Sequence, residues 1–417
     1  LNTTTKYVEE VTPIIKLLSA SPTFAMSLGA KELFHTNFLA FLLENDLKPL
    51  NDITKALRQK LLGDDFDGGV WAFRESKNMD LIVVPQDPCS NAKQSIAVIE
   101  AKLKSVPKVA QLEGYESKIS GRDKKKKSHF NIGDVDSPLY DFVRLTAGNV
   151  VEYRRYDSQR KKGQNYSWVK SEAKKINLTI LAPIDPYSKE MPSKGSTKWQ
   201  YWGWRELHTL LVDQLKSANR DYGGIISLIE SYAEDLNGIL ELLDRTKQLV
   251  DDFCDDSSKI DFQSFDHLIM EQFKKARIHD LISKYAYWHL SQKLRESLSQ
   301  QGVDVELDVN FTRGTPIIEG SKHVGNYEIG VQIQAGQYRH FILSRKPDRN
   351  LKDFAADRIF WFRLLSSSIE TVAELNKFDD NKFLYAKKDV KSINFKILVA
   401  ALADSFDNIK NIKTVSP

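Results

Sequence analysis

The run Ser95-Ile-Ala-Val-Ile-Glu100-Ala-Lys102 ends an apolar stretch with a carboxylate and an ammonium two positions apart. Side chains alternate faces along a strand, so Glu100 and Lys102 share a side, about 6–7 Å apart. Ile96 and Val98 precede them on that side, which places the charges at the end of a buried row. Asp80 opens the preceding apolar run, Asp80-Leu-Ile-Val-Val84, and a short connection brings it alongside Glu100. Two carboxylates and one ammonium at one sheet edge suit phosphodiester hydrolysis. Hard carboxylate oxygens hold Mg²⁺, which keeps waters and also binds a substrate phosphate. The metal lowers the pKa of its water, and a lysine orients that water and offsets the charge that develops. Taken alone, Glu-x-Lys is more often an ordinary salt bridge at a strand end.

The following helix strengthens the pattern. Gln111 and Tyr115 lie four residues apart in Gln111-Leu-Glu-Gly-Tyr115, on one helix face. The elements around them are readable. Lys31–Glu44 carries a broad apolar face at 33, 34, 38, 39, 41 and 42, and Asn51–Leu62 is a second amphipathic helix stopped by Gly63. Residues 70–75, 79–84 and 95–101 are short, rich in Val, Ile and aromatics, and predict strands. A helix is expected over 105–120, a fourth strand over 177–183, and a helix over Trp204–Leu215. This order predicts an α/β fold with a mixed sheet. After Tyr222-Gly-Gly224 the pattern turns helical to about 300, alternates from 303 to 343, and returns to helix from about 351. The expected domains are therefore 1–224 and an α+β accessory domain over 225–417.

Asp80, 19 intervening residues, Glu100-Ala-Lys102, eight residues and Gln111-x-x-x-Tyr115 resemble the PD-(D/E)xK phosphodiesterase superfamily, the restriction-endonuclease-like fold. The Gln-x-x-x-Tyr element is similar to the exonuclease-type branch. The helix Glu32-Leu-Phe-His-Thr-Asn-Phe resembles the opening helix of uncharacterised bacterial members. The resemblance spans roughly residues 25–215. It implies a core of helix, three strands, helix and strand, and a Mg²⁺- or Mn²⁺-dependent nuclease acting on DNA or RNA. Under it, Asp80 and Glu100 are metal ligands, Lys102 is the catalytic lysine, and Gln111 and Tyr115 assist on the substrate side. Met79 stands where the motif's nominal proline would be. Glu32 is a further candidate metal ligand, weighed against a first-turn acid favoured by the helix dipole. His35 reads more readily as a buried, satisfied histidine than as a ligand; Glu75 ends the first strand and equally either approaches the site or pairs with Arg74 or Lys77.

Charge distribution points to a polyanion. Residues 118–175 hold 15 Lys and Arg against 7 Asp and Glu, in a chain of net charge +4. Lys124, Lys125, Lys126, Lys127, Arg154 and Arg155 are candidate nucleic-acid contacts, with Tyr153, Tyr156 and Tyr166 close by. The bland alternative for the lysine run is a solvated loop. Trp199, Trp202 and Trp204 either stack on bases or fill a core, and core is favoured. The longest apolar run, Ile397–Ala403, is far short of a membrane span. Two cysteines, Cys89 and Cys254, fit a reducing compartment, and the first residues lack the regions of a signal peptide, so a cytoplasmic location is expected. No phosphate-binding Gly-Lys-Ser/Thr loop or Gly-x-Ser-x-Gly elbow occurs. The competing function is a catalytically inactive nucleic-acid-binding or interaction protein on the same fold.

Overall fold

The computed structural model describes residues 3–30, 32–76, 79–86, 95–102, 111–115, 130–134, 140–146, 150–156, 166–172, 175–184, 199–217, 223–255, 259–260, 273–274, 276–312, 315–334, 336–344, 351, 374–378, 383–389 and 393–412. The chain forms two compact units, Lys16–Leu240 and Leu1–Ile15 with Glu241–Pro417. The limit expected at 224/225 falls at the first residues of a long helix, Gly223–Asp255, within the first unit.

Helices α1 (Thr3–Ala20), α2 (Pro22–Ala30), α3 (Glu32–Glu44) and α4 (Asn51–Leu62) precede the strands β1 (Val70–Ser76), β2 (Met79–Pro85) and β3 (Ile96–Ala101). Helix α5 is described over residues 111–115. After it the chain makes a separate four-stranded sheet. β4 (Phe130–Asp134), β5 (Tyr140–Thr146), β6 (Val150–Tyr156) and β7 (Tyr166–Glu172) form an antiparallel meander in sequence order. The chain then returns as β8 (Ile176–Ala182) and β9 (Trp199–Gly203) to complete a five-stranded sheet in the order β1-β2-β3-β8-β9.

In that five-stranded sheet, β1, β2 and β3 are antiparallel neighbours, whereas β3, β8 and β9 run parallel, so the sheet is mixed. All of β3 is buried, as expected for a central strand covered on both faces. One face carries Ile82, Val84, Ile96, Val98, Leu178 and Ile180, which pack with Leu112 and Tyr115 of α5 and with Trp199.

Local chemistry closes the ends of these elements. α4 buries Ile53, Leu57 and Leu61 on one stripe and stops at Gly63, whose φ of 123° suits glycine. The Asn177 side-chain amide donates to the Leu61 carbonyl at 2.8 Å, which ties the end of α4 to β8. β1 is an edge strand, and the Ala72 N–H donates to Glu44 Oε1 at 2.7 Å from the end of α3. This satisfies an edge donor that would otherwise be open to pairing. Helix α6 (Trp204–Leu215) follows β9 directly and buries Trp204, Leu207, Leu211 and Leu215.

Beyond the long helix α7 (Gly223–Asp255), the second unit carries helix α8 (His279–Gln300) and an antiparallel sheet. The alternation read over 303–343 becomes β11 (Asp308–Thr312), β12 (Thr315–Val324), β13 (Tyr327–Gln334) and β14 (Gln337–Ser344), after the short β10 (Lys259–Ile260). β15 (Glu374–Phe378) and β16 (Phe383–Asp389) fall where helix was expected. Six of these strands form one sheet in the order β11-β12-β13-β14-β16-β15, while β10 pairs with β17 (Ile393–Asn394). Among the described residues helix returns as α9 (Phe395–Asn411). It packs on the six-stranded sheet: the Tyr338 hydroxyl donates to the Ala401 carbonyl at 3.1 Å. His340 Nε2 lies 2.9 Å from Ser405 Oγ, and both residues are buried. Gly320 and Gly330 lie on neighbouring strands, and a Cβ on Gly330 would meet the Gly320 carbonyl at 2.3 Å.

Candidate functional site

The site forms where β2 begins and β3 ends, on the face that α5 covers. Ile82 pairs with Val98, so Asp80 shares a face with Val98, Glu100 and Lys102. Lys102 Nζ lies 2.7 Å from Glu100 Oε1 and 3.8 Å from Asp80 Oδ2. Laid end to end, 3.8 and 2.7 Å limit the separation of those two carboxylate oxygens to about 6.5 Å. The three charged groups read from the sequence therefore meet, with the ammonium between the carboxylates. Glu100 is 1% exposed, and the Lys102 and Asp80 side chains are 11% and 24% exposed. The pair is thus shielded, while Asp80 faces the accessible side.

Several bonds fix the geometry. The Ala101 N–H donates to Asp80 Oδ2 at 2.8 Å, so the carboxylate binds the backbone of the residue between Glu100 and Lys102. The Lys102 N–H donates to the Leu181 carbonyl at 2.7 Å, carrying the parallel pairing with β8 one residue past β3. Gln111 Nε2 donates to Glu100 Oε1 and to the Tyr115 hydroxyl, both at 2.7 Å. The four-residue spacing on α5 thus links a carboxylate to a phenol through one amide. Burial raises the pKa of Tyr115; the Gln111 hydrogen bond opposes this without reversing it. The phenol stays protonated at neutral pH and is equipped to donate, not to act as a base.

Sequence reasoning missed two positioning groups. The Trp204 indole N–H donates to the Lys102 carbonyl at 3.0 Å, from the first residue of α6. Trp199 likewise donates to the Leu112 carbonyl at 3.2 Å, and its ring lies 6.3 Å from the Tyr115 ring. Trp199, Trp202 and Trp204 are 5%, 1% and 2% exposed, which places all three in the core and leaves them no surface for base stacking. The indole N–H groups of Trp199 and Trp204 nevertheless hold the two backbone segments that carry the site. The only sequence signal is Trp204 at a helix start, which says nothing about its partner 102 positions away.

His35 is buried; its Nδ1 lies 3.1 Å from the Tyr232 hydroxyl, and its ring meets Trp204 edge-on at 5.6 Å. Glu32 is the first residue of α3, and its side chain lies outside the described residues, as does that of Glu75 on β1. Lys124, Lys125, Lys126 and Lys127 also lie outside them. Arg154 and Arg155 sit on β6, where the backbone alone is described.

Among the described residues no group of three or more His, Cys, Asp and Glu is placed to hold a metal. The donor set of Asp80 and Glu100 still fits Mg²⁺, which commonly takes one or two carboxylates and completes its shell with water and phosphate oxygens. No family model, curated protein or solved structure matches the chain.

Proposed function

We propose that the chain is a nuclease that hydrolyses phosphodiester bonds of DNA or RNA with Mg²⁺ or Mn²⁺, on a restriction-endonuclease-like core. One observation carries this reading: Lys102 Nζ sits between Asp80 and Glu100 at a strand end, with Gln111 bonded to Glu100. A bound divalent ion would supply Lewis acidity and a water of lowered pKa. Asp80 and Glu100 would hold that ion. Lys102 orients the attacking water and offsets the negative charge that builds on the phosphoryl oxygens. Gln111 fixes the rotamer of Glu100, and Tyr115 donates to a substrate oxygen.

The test is incubation with labelled single- and double-stranded DNA and RNA, in Mg²⁺, Mn²⁺ or EDTA. Cleavage should need the metal. Asp80→Asn, Glu100→Gln and Lys102→Ala should each lose about 100-fold or more, the scale of a lost electrostatic donor. Double variants should be little worse than single ones, because the groups act on one centre. Metal-independent cleavage, or full activity in Lys102→Ala, would overturn the assignment. Binding without cleavage of any substrate would support the inactive, nucleic-acid-binding alternative.

A further inference from the structure

Lys102 is held through its main chain as well as through its charge. Its carbonyl accepts from the Trp204 indole N–H at 3.0 Å, and Trp204 is buried. A further set of buried rings holds Trp204. His35 of α3 meets it edge-on, with ring centroids 5.6 Å apart and planes at 72°. Edge-to-face contact is a preferred geometry for ring pairs, so it resists rotation of either ring. A buried imidazole also needs a polar partner, because an unsatisfied nitrogen is costly there. Tyr232 of α7 supplies it: the hydroxyl lies 3.1 Å from His35 Nδ1. Burial and the charge of Asp235 raise the pKa of Tyr232, so the phenol keeps its proton at neutral pH. Tyr232 is fixed in turn. Its ring packs on Phe38, one turn along α3 from His35, with centroids 4.3 Å apart. On either side of it in α7, Ser231 and Asp235 meet Thr23. The Thr23 hydroxyl donates to Asp235 Oδ2 and lies 2.9 Å from Ser231 Oγ, which ties that stretch of α7 to the start of α2. All these residues belong to the unit Lys16–Leu240.

We propose that His35 is a positioning residue of the site: braced by Tyr232, it fixes the Trp204 ring and, through the indole N–H, the main chain of Lys102. This rests on the nuclease reading for the chemistry that Lys102 performs. Lys102 stands one residue past β3, where its N–H still donates to the Leu181 carbonyl. Its own carbonyl is held by Trp204, so the bond that His35 supports is the one that finishes the placement of the lysine. A small displacement of a positioned group is expensive in rate. The brace also makes α7 part of the working unit, although Tyr232 lies past α6 and outside the stretch that resembles a nuclease core.

The experiment labels the tryptophan indoles of the full chain with ¹⁵N and follows hydrogen exchange of each indole N–H by NMR. The Trp204 signal is the one missing from Trp204→Phe. Trp199, whose indole N–H donates to the Leu112 carbonyl at 3.2 Å, is the internal reference, because general destabilisation speeds both. His35→Ala should speed exchange at Trp204 roughly 2- to 12-fold more than at Trp199, the factor for one lost ring contact. His35→Phe, which restores a ring edge, should return most of the protection. In parallel, hydrolysis in Mg²⁺ should show kcat about 10- to 100-fold lower in His35→Ala, with KM little changed. The same substitution made in Trp204→Phe should cost almost nothing further, because the route to Lys102 is already cut. If His35→Ala fails to fold, Tyr232→Phe carries the same readouts, with a smaller shift that is still selective for Trp204. Equal acceleration at both indoles, unchanged kcat in a folded His35→Ala, or a fully additive loss in the double variant would overturn the proposal. Selective exchange at Trp204 in a protein that cleaves no substrate would overturn the nuclease reading and leave the brace standing. Cleavage without selective exchange would do the reverse.

Discussion

Replacing Lys102 with Met tests how the site is held together as well as what it does. Glu100 is 1% exposed and 2.7 Å from the ammonium, so the variant leaves a carboxylate in the interior without its counter-charge. Removing one partner of a buried pair typically costs about 3–5 kcal/mol. Gln111 Nε2 still donates to the same Glu100 oxygen at 2.7 Å, and a hydrogen bond to a charged group retains part of the stabilisation. We therefore expect a loss near the bottom of that range, about 3 kcal/mol. Adding Glu100→Gln removes the stranded charge and should bring the double variant back to within about 1 kcal/mol of the parent, since buried pairs are often neutral against uncharged replacements. Urea unfolding of the four proteins at about pH 7.5 and constant ionic strength gives the coupling directly. Hydrolysis should be absent in all but the parent, so stability and activity separate. Addition of Mg²⁺ should stabilise the Lys102→Met protein more than the parent, because the ion then supplies the missing positive charge. A Lys102→Met protein as stable as the parent would refute the buried-pair reasoning. A double variant less stable than either single one would refute it equally.

Three other perturbations give separate readouts. Trp204→Phe removes the donor to the Lys102 carbonyl, worth about 1 kcal/mol, and should lower kcat more than it changes KM while the protein stays folded; an unchanged kcat removes Trp204 from the positioning role. Burial pushes the pKa of His340 down to about 4, so the ring is neutral in the folded protein at pH values where the unfolded chain, near 6.5, already takes up a proton. Its contribution is fully present above about pH 6.5 and falls by about 1.4 kcal/mol per unit down to about pH 4, which acid-dependent unfolding of His340→Gln against the parent should reveal as a flatter profile. Replacing Lys124, Lys125, Lys126 and Lys127 with Gln should weaken nucleic-acid binding and lower the single-strand salt slope by about 0.7 for each phosphate no longer neutralised; an unchanged slope assigns the run to a solvated loop.

Much of the site is readable because strand parity is a strict rule. Glu100 and Lys102 have to share a face, and the apolar row Ile96–Val98 fixes which one. The helices 51–62 and 204–215 are legible to the residue because their stripes are regular and Gly63 is a hard stop. β9 is not, since Trp199-Gln-Tyr-Trp-Gly203 is short and reads equally as an aromatic cluster. Its strand state depends on pairing with β8, a non-local choice. The same holds for β4–β7, where basic residues inside strands mask the alternation, and for β15 and β16, whose Lys and Asn positions weaken a β signal. The Trp204–Lys102 bond joins residues from two elements with no shared period, so no local pattern announces it.

The hydrogen bond from the Ala101 N–H to Asp80 bears on how such a protein could change over generations. The backbone pairing between β2 and β3 runs as far as Leu81 and Ile99, and beyond that point a side chain fastens the two strands. On the nuclease reading proposed above, Asp80 serves twice, once as an anion and once as a clasp. Asparagine keeps an oxygen for the clasp and abandons the anion; alanine or leucine gives up both. Under that reading, a descendant without hydrolysis would be free to lose the charge of Lys102 together with that of Glu100, yet it would still be held to an oxygen-bearing residue at position 80. Inherited drift would then leave a site whose first position looks intact long after its chemistry has gone, and the decisive signature of a retired copy would be found at 100 and 102.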